Sequence, residues 1–200
     1  TSRGTTPVLI VSGLGDLDDV LSMVSKGADI KVTDIYGNTA LMRAAGNGNM
    51  ALVKWLVDQG ADVNAMESDG ATALMKAAYG GHLDVIKFLV SKGADANAKA
   101  ANGLSSLIYA AQNGELDAIQ VLVGSGADIN ARHDDGRSPL MVAALNGHLD
   151  VVTWLADQGA DLTGKDKAGK TALTLAEENS YQDIVEYLKN RDALKPSEGH

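Results

Sequence analysis

The sequence predicts an all-α fold, a solenoid of six helix–turn–helix units linked by extended turns, because three markers recur every 33 residues. A glycine opens each unit, a Ser or Thr follows two residues later, and Gly-Ala-Asp closes five of the units. Three markers in one phase are typical of stacked repeats. The opening glycines are Gly4, Gly37, Gly70, Gly103, Gly136 and Gly169, and Gly-Ala-Asp begins at Gly27, Gly60, Gly93, Gly126 and Gly159.

The first helix of each unit is predicted to begin after the Ser or Thr, whose side-chain oxygen accepts from free N–H groups of the first turn. Pro7 and Pro139 come next, at the first helical position, where proline is best tolerated. Paired small residues such as Ala77 and Ala78 let neighbouring helices approach closely. A glycine is expected to end this helix, and these glycines are Gly15, Gly48, Gly81, Gly114 and Gly147.

The second helix of each unit carries apolar residues at helical spacing, as in Val85, Ile86, Leu89 and Val90. The glycine of Gly-Ala-Asp is expected at its C′ position. Because one such unit cannot bury its own apolar face, stacking predicts a single domain over residues 1–193. Its predicted units are 1–33, 34–66, 67–99, 100–132, 133–165 and 166–198, with a frayed tail at 194–200.

Three segments carry a family resemblance: Asn38 to Met42, Asp84 to Val90, and Gly126 to Ala131. They resemble the ankyrin repeat, and the resemblance covers essentially the whole chain. It implies a non-enzymatic protein-binding module that recognises a partner through its concave face. The family usually has His after Thr-Pro-Leu, whereas this chain has Leu9, Met42, Met75, Ile108, Met141 and Thr174.

Composition excludes several classes of function. The chain has no cysteine, so thiolate catalysis and thiolate metal sites are absent. A net charge of −9 with 4% aromatic residues argues against nucleic-acid binding. The apolar runs, such as Val8 to Val11 and Leu140 to Leu145, are far below the ~18 residues of a membrane span. His82 and His148 are expected to close turns and not to bind a metal. We therefore predict no catalytic residue, no cofactor and no metal site. We also predict that the chain is a monomer when no partner is bound.

One phosphate-binding motif occurs literally, since residues 164–171 match Gly-x4-Gly-Lys-Thr. That motif requires a preceding buried strand, whereas the residues before Gly164 read as a helix end and a polar turn. Gly169 and Thr171 are already explained as the repeat's turn glycine and helix cap. Nucleotide or phosphate binding through Gly164 to Thr171 therefore remains only an alternative.

The candidate binding surface consists of residues that the repeat does not dictate, at the turn tips and on exposed positions of the first helices. Three of the five Tyr lie here, and so do nine of the seventeen Lys and Arg if Arg3 and Lys167 are counted. Tyr, Arg and Met are enriched at protein interfaces, and the basic residues favour an acidic partner. The predicted partner-binding residues are Ile35, Tyr36, Arg43, Met66, Lys76, Tyr79, Lys99, Leu104, Tyr109, Arg132, Arg137 and Leu145.

Size and composition also suggest a narrower role. Six closed units, a start at Thr1 instead of Met, and the lack of cysteine favour an exported protein of the bacterial periplasm over a cytoplasmic one. The chain resembles small exported bacterial ankyrin proteins, some of which protect their own cell from a lytic enzyme. This favours an inhibitor or immunity protein whose partner is an enzyme. A scaffold or adaptor without inhibitory role is the alternative.

Overall fold

The structure is a computed structural model that describes residues 7–14 and 17–193, and these form twelve α-helices in two layers, with no β-strand among the described residues. Each unit contributes one helix to each layer. The first layer contains α1 (Pro7–Leu14), α3 (Ala40–Gly46), α5 (Ala73–Tyr79), α7 (Ser106–Asn113), α9 (Pro139–Leu145) and α11 (Ala172–Glu178). The second contains α2 (Leu17–Ser25), α4 (Met50–Asp58), α6 (Leu83–Ser91), α8 (Leu116–Gly124), α10 (Leu149–Asp157) and α12 (Gln182–Ala193). The predicted all-α solenoid of helix–turn–helix units is confirmed.

The predicted caps start the first helices. The Thr39 hydroxyl accepts from the N–H of Met42 at 3.2 Å, and the Ser138 hydroxyl accepts from that of Met141 at 3.3 Å. Thr72, Ser105 and Thr171 form the same bond in their units. Each cap satisfies an N–H group that no intrahelical carbonyl can reach. The predicted cap Thr6 and the predicted helix-ending Gly15 lie outside the described residues.

A left-handed glycine joins the two helices in units two to five, and in units three and five a histidine follows it. Gly48 follows α3 with φ of 69°, and a Cβ there would lie 2.5 Å from Nδ1 of His82. His82 Nε2 reaches the carbonyl of Gly46 in the preceding unit at 3.0 Å, and His148 Nε2 reaches that of Gln112 in the same way. Both histidines therefore close turns between units, as predicted.

The core is continuous because helices of one layer pack against the same layer of neighbouring units. Leu41, Leu74, Leu107 and Leu140 occupy one equivalent position at the start of the first helices, and none is more than 1% exposed. Met42, Met75, Ile108 and Met141 replace the usual His of the family and are buried too. Apolar packing therefore fills this position, as the sequence suggests.

Backbone hydrogen bonds connect the turn tips of successive units. The N–H of Ser68 donates to the carbonyl of Tyr36 at 2.7 Å, and the N–H of Asp134 donates to that of Asn102 at 3.0 Å. Asn97 of unit three connects to the Gly-Ala-Asp turn of unit four. Its side chain donates to the carbonyl of Gly126 and accepts from the N–H of Asp128, both at 2.8 Å. The tips thus form a fixed row beside the first helices.

The last unit departs from the repeat at the turn between its two helices. Ser180 replaces the inter-helix glycine and has φ of 61°, the single positive φ of a non-glycine residue in the described part of the chain. Helix α12 ends at Ala193, and the predicted tail at 194–200 lies outside the described residues. No helix within the described ranges is long and apolar enough to cross a membrane.

Candidate protein-binding surface

We define the inner face as the turn tips and first helices of units two to six. The tips are residues 33–38, 66–71, 99–104, 132–137 and 165–170, and the helices are α3, α5, α7, α9 and α11. All twelve residues predicted to bind a partner belong to this face by position. They differ in what surrounds them: some are exposed and apolar, some are paired ions, and some line a groove.

Four large apolar side chains on this face are more than half exposed. Ile35 is 60% exposed, Tyr36 54%, Met66 58% and Tyr79 64%. The other exposed large apolar residues among the described ones, Ile10 and Leu21, lie in unit one and are below 40%. The exposed apolar surface therefore concentrates on the inner face of units two and three.

Tyr79 and Tyr109 form an aromatic pair that bridges units three and four. Their ring centroids lie 5.4 Å apart with planes at 79°, an edge-to-face arrangement. Tyr109 is half-buried and packs with Leu104 against Met75, Ala98 and Ala100. Burial, followed by the negative charge of nearby Asp69, raises the pKa of the Tyr109 phenol. The exposed Tyr79 therefore rests on a well-packed neighbour.

The basic residues of units two and three are paired at a common spacing. Arg43 Nη2 lies 2.8 Å from Asp34 Oδ2, and the ammonium of Lys76 contacts the carboxylate of Glu67, nine residues earlier in both cases. Asp34 is buried, and burial opposes its ionisation. The N–H of Asn38 and the Arg43 guanidinium outweigh this and lower the pKa of Asp34. Neither cation is free to attract a partner.

The basic residues of the tip that joins units four and five, residues 132–137, are paired as well. Arg132 donates to the carbonyls of Gly136 and Lys165 at 2.7 and 3.1 Å. Arg137 lies 3.3 Å from Asp135 and 3.5 Å from Asp166 of the next unit. His133 Nδ1 lies 2.8 Å from the Asp135 carboxylate. Lys99 is exposed and has no ion pair within the described ranges. Most of the basic residues predicted to bind a partner are therefore held by groups of the chain itself, so few unpaired positive charges remain on the inner face.

A groove of about 240 Å³ lies between α7 and α9. Its apolar walls are Leu104, Ile108, Val142 and Leu145, and the ionic cluster of His133, Asp135 and Arg137 lies at its edge. Leu104 also packs in the cluster that supports Tyr109. The groove and the tyrosine pair thus form one apolar surface at the centre of the inner face.

Comparison with known families agrees with this architecture. The family model described as ankyrin repeats (3 copies) matches residues 8–100 and again residues 102–197. The chain belongs to the ankyrin-repeat family. No curated protein matches it. Ankyrin repeats serve as protein–protein interaction modules, so this chain is one of that kind.

The phosphate-loop motif of this ankyrin-repeat chain has the geometry of a repeat turn. Helix α10 precedes it instead of a strand, and α11 begins only at Ala172. The N–H groups of Ala168 and Lys170 donate to the Asp166 carboxylate at 2.9 Å, and Lys170 Nζ lies 2.6 Å from Glu178. A carboxylate of the chain therefore occupies the amides that a phosphate would need. Within the described ranges no group of three or more His, Cys, Asp or Glu could hold a metal ion.

Sequence reasoning missed the partners of the basic residues. It selected Arg43, Lys76 and Arg137 but overlooked Asp34, Glu67 and Asp166, which hold them in place. The nine-residue spacing common to the first two pairs was a usable signal, because it joins the base of a turn to the following helix. The groove gave no local signal, since its walls come from two units.

Proposed function

We propose that this chain binds a protein partner through its inner face, with Tyr79 and Tyr109 at the centre of the contact, and that it catalyses no reaction. The observation that carries the proposal is the row of exposed apolar side chains, Ile35, Tyr36, Met66 and Tyr79, on consecutive units. Large aromatic and apolar side chains that become buried dominate the energy of protein interfaces.

The packing beneath these side chains supports the proposal. Backbone hydrogen bonds fix the tips to one another, and Tyr109 supports Tyr79 from the neighbouring unit. A surface that is ordered before binding loses little conformational entropy when a partner docks. The inner face therefore meets the requirements of a rigid recognition surface.

The ionisable groups of the inner face support a non-catalytic role. General acids and bases work best with a pKa near the operating pH. The backbone N–H of Lys170 lowers the pKa of Asp166, and the N–H of Asn38 and Arg43 lower that of Asp34 against the effect of burial. These shifts stabilise charged structural carboxylates and move them away from proton transfer near neutral pH.

The test uses variants on both faces with a partner isolated by affinity capture. Tyr79→Ala and Met66→Ala remove exposed apolar surface from the inner face. Lys54→Glu and Lys87→Glu, on exposed positions of α4 and α6, are the outer-face controls. We expect each inner-face change to raise the dissociation constant by at least about tenfold in surface plasmon resonance, chiefly through faster dissociation. The outer-face pair should change it less than about twofold. A larger loss from the outer-face pair would move the binding site to the second helices.

An inhibitor and a scaffold would use the same surface, and the partner's activity separates them. If the chain is an inhibitor or immunity protein, adding it in excess should abolish the activity of an enzyme partner. Tyr79→Ala should restore that activity in proportion to the affinity lost. A partner that keeps full activity in the saturated complex would identify a scaffold or adaptor.

A further inference from the structure

We propose that the centre of the inner face recognises a basic segment of the partner. In this proposal a cationic side chain lies against the Tyr79–Tyr109 pair, and an aliphatic side chain about three residues away enters the groove between α7 and α9. The proposal rests on binding through the inner face. It reverses the preference for an acidic partner that the sequence alone suggests.

The tyrosine pair offers a surface suited to a cation. Tyr79 is 64% exposed, and its ring meets Tyr109 edge to face. Aromatic faces carry negative potential and attract Arg or Lys within about 6 Å of the ring centroid. Lys76, the basic residue nearest in sequence on α5, is held by Glu67 and is not available to cover the ring.

The carboxylates around the pair favour the same charge. Asp69 is exposed, and its Oδ1 accepts from the N–H of Ala71 at 3.0 Å, so the second oxygen remains open to a partner. Lys99 lies in the next tip, residues 99–104, and forms no ion pair in the described part of the chain. Burial and, after it, the negative charge of Asp69 raise the pKa of the Tyr109 phenol, which places the Asp69 carboxylate close enough to act on the ring.

Charge over the whole chain points the same way. Within the inner face, acidic and basic residues are equal in number, so the net charge of −9 is carried outside it. The surplus acids lie on the other surfaces and attract a basic partner to the chain as a whole, so the preference at the tyrosine pair itself rests on Asp69 and the two rings. The acidic residues of the face are Asp34, Glu67, Asp69, Asp134, Asp135, Asp166, Glu177 and Glu178; the basic ones are Arg43, Lys76, Lys99, Arg132, Arg137, Lys165, Lys167 and Lys170.

The groove is suited to an uncharged apolar side chain of the partner. Leu104, Ile108, Val142 and Leu145 form its walls, and its volume of about 240 Å³ is sufficient for a large aliphatic group. Gln112 and Asn146 also line the groove, and the charged groups at its edge are paired, since Asp135 is bound by His133 and Arg137. An aliphatic side chain would therefore be buried there without leaving a charge unpaired.

Helix spacing sets the distance between the two subsites. The tyrosine pair joins α5 to α7, and the groove lies between α7 and α9. Packed helices are about 8–10 Å apart, so the subsites are separated by about one helix spacing. An extended chain advances about 3.3 Å per residue, and three residues span this distance.

The test is selection of displayed random peptides on the full chain, followed by affinity measurement with the selected synthetic peptide. We expect Arg or Lys at one position and Leu, Ile or Met three residues away. Tyr79→Ala should weaken binding at least about tenfold, and replacing the selected Arg by citrulline, or Lys by norleucine, should weaken it similarly. Asp69→Asn, which keeps an oxygen for the Ala71 N–H, should weaken it about threefold. Leu21→Ala, at an exposed apolar residue of α2 outside the inner face, is the matched control and should have no effect.

The outcomes separate this proposal from the proposed function. Peptides that lack the cation, tolerate its neutral replacement or carry acidic residues, yet still require Tyr79, would overturn the basic-segment proposal and leave inner-face binding in place. Peptides that bind equally well to Tyr79→Ala but lose affinity with Lys54→Glu or Lys87→Glu would overturn both. If no peptide is enriched on the parent chain relative to the Tyr79→Ala variant, the basic-segment proposal is overturned.

Discussion

Units two and three differ from unit four at one equivalent pair of positions. In units two and three, the residue at the base of the turn and the helix residue nine positions later form the pairs Asp34–Arg43 and Glu67–Lys76. In unit four, the same positions hold Ala100 and Tyr109, which pack in one apolar cluster. The backbone of the turn is the same, because the N–H at each base donates to the carbonyl four residues later, as that of Ala100 does to Leu104.

This difference shows which property of the two positions the fold requires and which property can vary between units. The fold requires that the space between turn and helix be filled, and either an ion pair or an apolar pair fills it. Where the ion pair is absent, an aromatic ring takes its place and supports Tyr79. The change of chemistry at unit four therefore creates the apolar centre of the inner face.

The largest expected effect is at a position that all units share. Leu107 on α7 is 1% exposed, and Leu107→Ala should lower the free energy of unfolding by about 2–5 kcal/mol through lost transfer energy and a cavity. Tyr79→Ala, on an exposed neighbour, should change it by less than about 0.5 kcal/mol. Denaturant unfolding of both variants measures the contrast. Similar losses in the two would contradict the division between positions set by the fold and positions free for binding.

The next effect concerns the ion pair of unit two. Asp34 accepts from the N–H groups of Tyr36 and Asn38 at 2.9 and 3.0 Å as well as from Arg43. Asp34→Ala should lower the free energy of unfolding by about 1–3 kcal/mol because three partly buried donors lose their acceptor. Asp34→Asn, which keeps one acceptor oxygen, is the control and should lose less. Equal losses would mean that the charge, and not the acceptor oxygen, stabilises the turn.

A smaller effect is expected with pH. The N–H of Lys170 lowers the pKa of Asp166, and the hydrogen bonds to Asp34 lower its pKa despite burial. A carboxyl with a lower pKa in the folded state stabilises the fold above its unfolded pKa of about 3.9, and this contribution disappears as pH falls through the folded value. Thermal melts should therefore show stability falling below about pH 4. The fall should be shallower for Asp166→Asn, and an unchanged slope would remove Asp166 from this account.

The smallest effect lies at the C-terminal end. Ser180 has φ of 61° where the other units have glycine, so Ser180→Gly should raise the free energy of unfolding by about 0.5–1 kcal/mol. Gly147→Ser, at the matching position of unit five, is the converse change. It should destabilise more strongly, because a Cβ there would lie 2.6 Å from the Tyr181 ring. A loss of stability in Ser180→Gly would show that the serine side chain contributes more than its backbone strain costs.

The fold was predictable because its signals are local and repeated. Thr39 caps its own helix, Gly48 turns the chain at its own position, and both recur in phase with the buried Leu41 position. The surface was predictable only in outline. Tyr79 could be placed on the inner face from its position in the repeat, but its contact with Tyr109 joins two units. The partners of Arg137 and the groove beside Leu145 likewise depend on side chains of neighbouring units, which periodicity does not specify.

The most direct test converts unit four to the chemistry of unit three. The double variant Ala100→Glu, Tyr109→Lys places the Glu67–Lys76 pair at the equivalent positions. Surface plasmon resonance with the partner, together with denaturant unfolding of the same sample, measures binding and stability in parallel. We predict that the free energy of unfolding stays within about 1 kcal/mol of the parent, because an ion pair already fills this space in unit three, while affinity falls at least about tenfold. Full affinity in a folded double variant would contradict the claim that the apolar centre created at unit four is the binding surface.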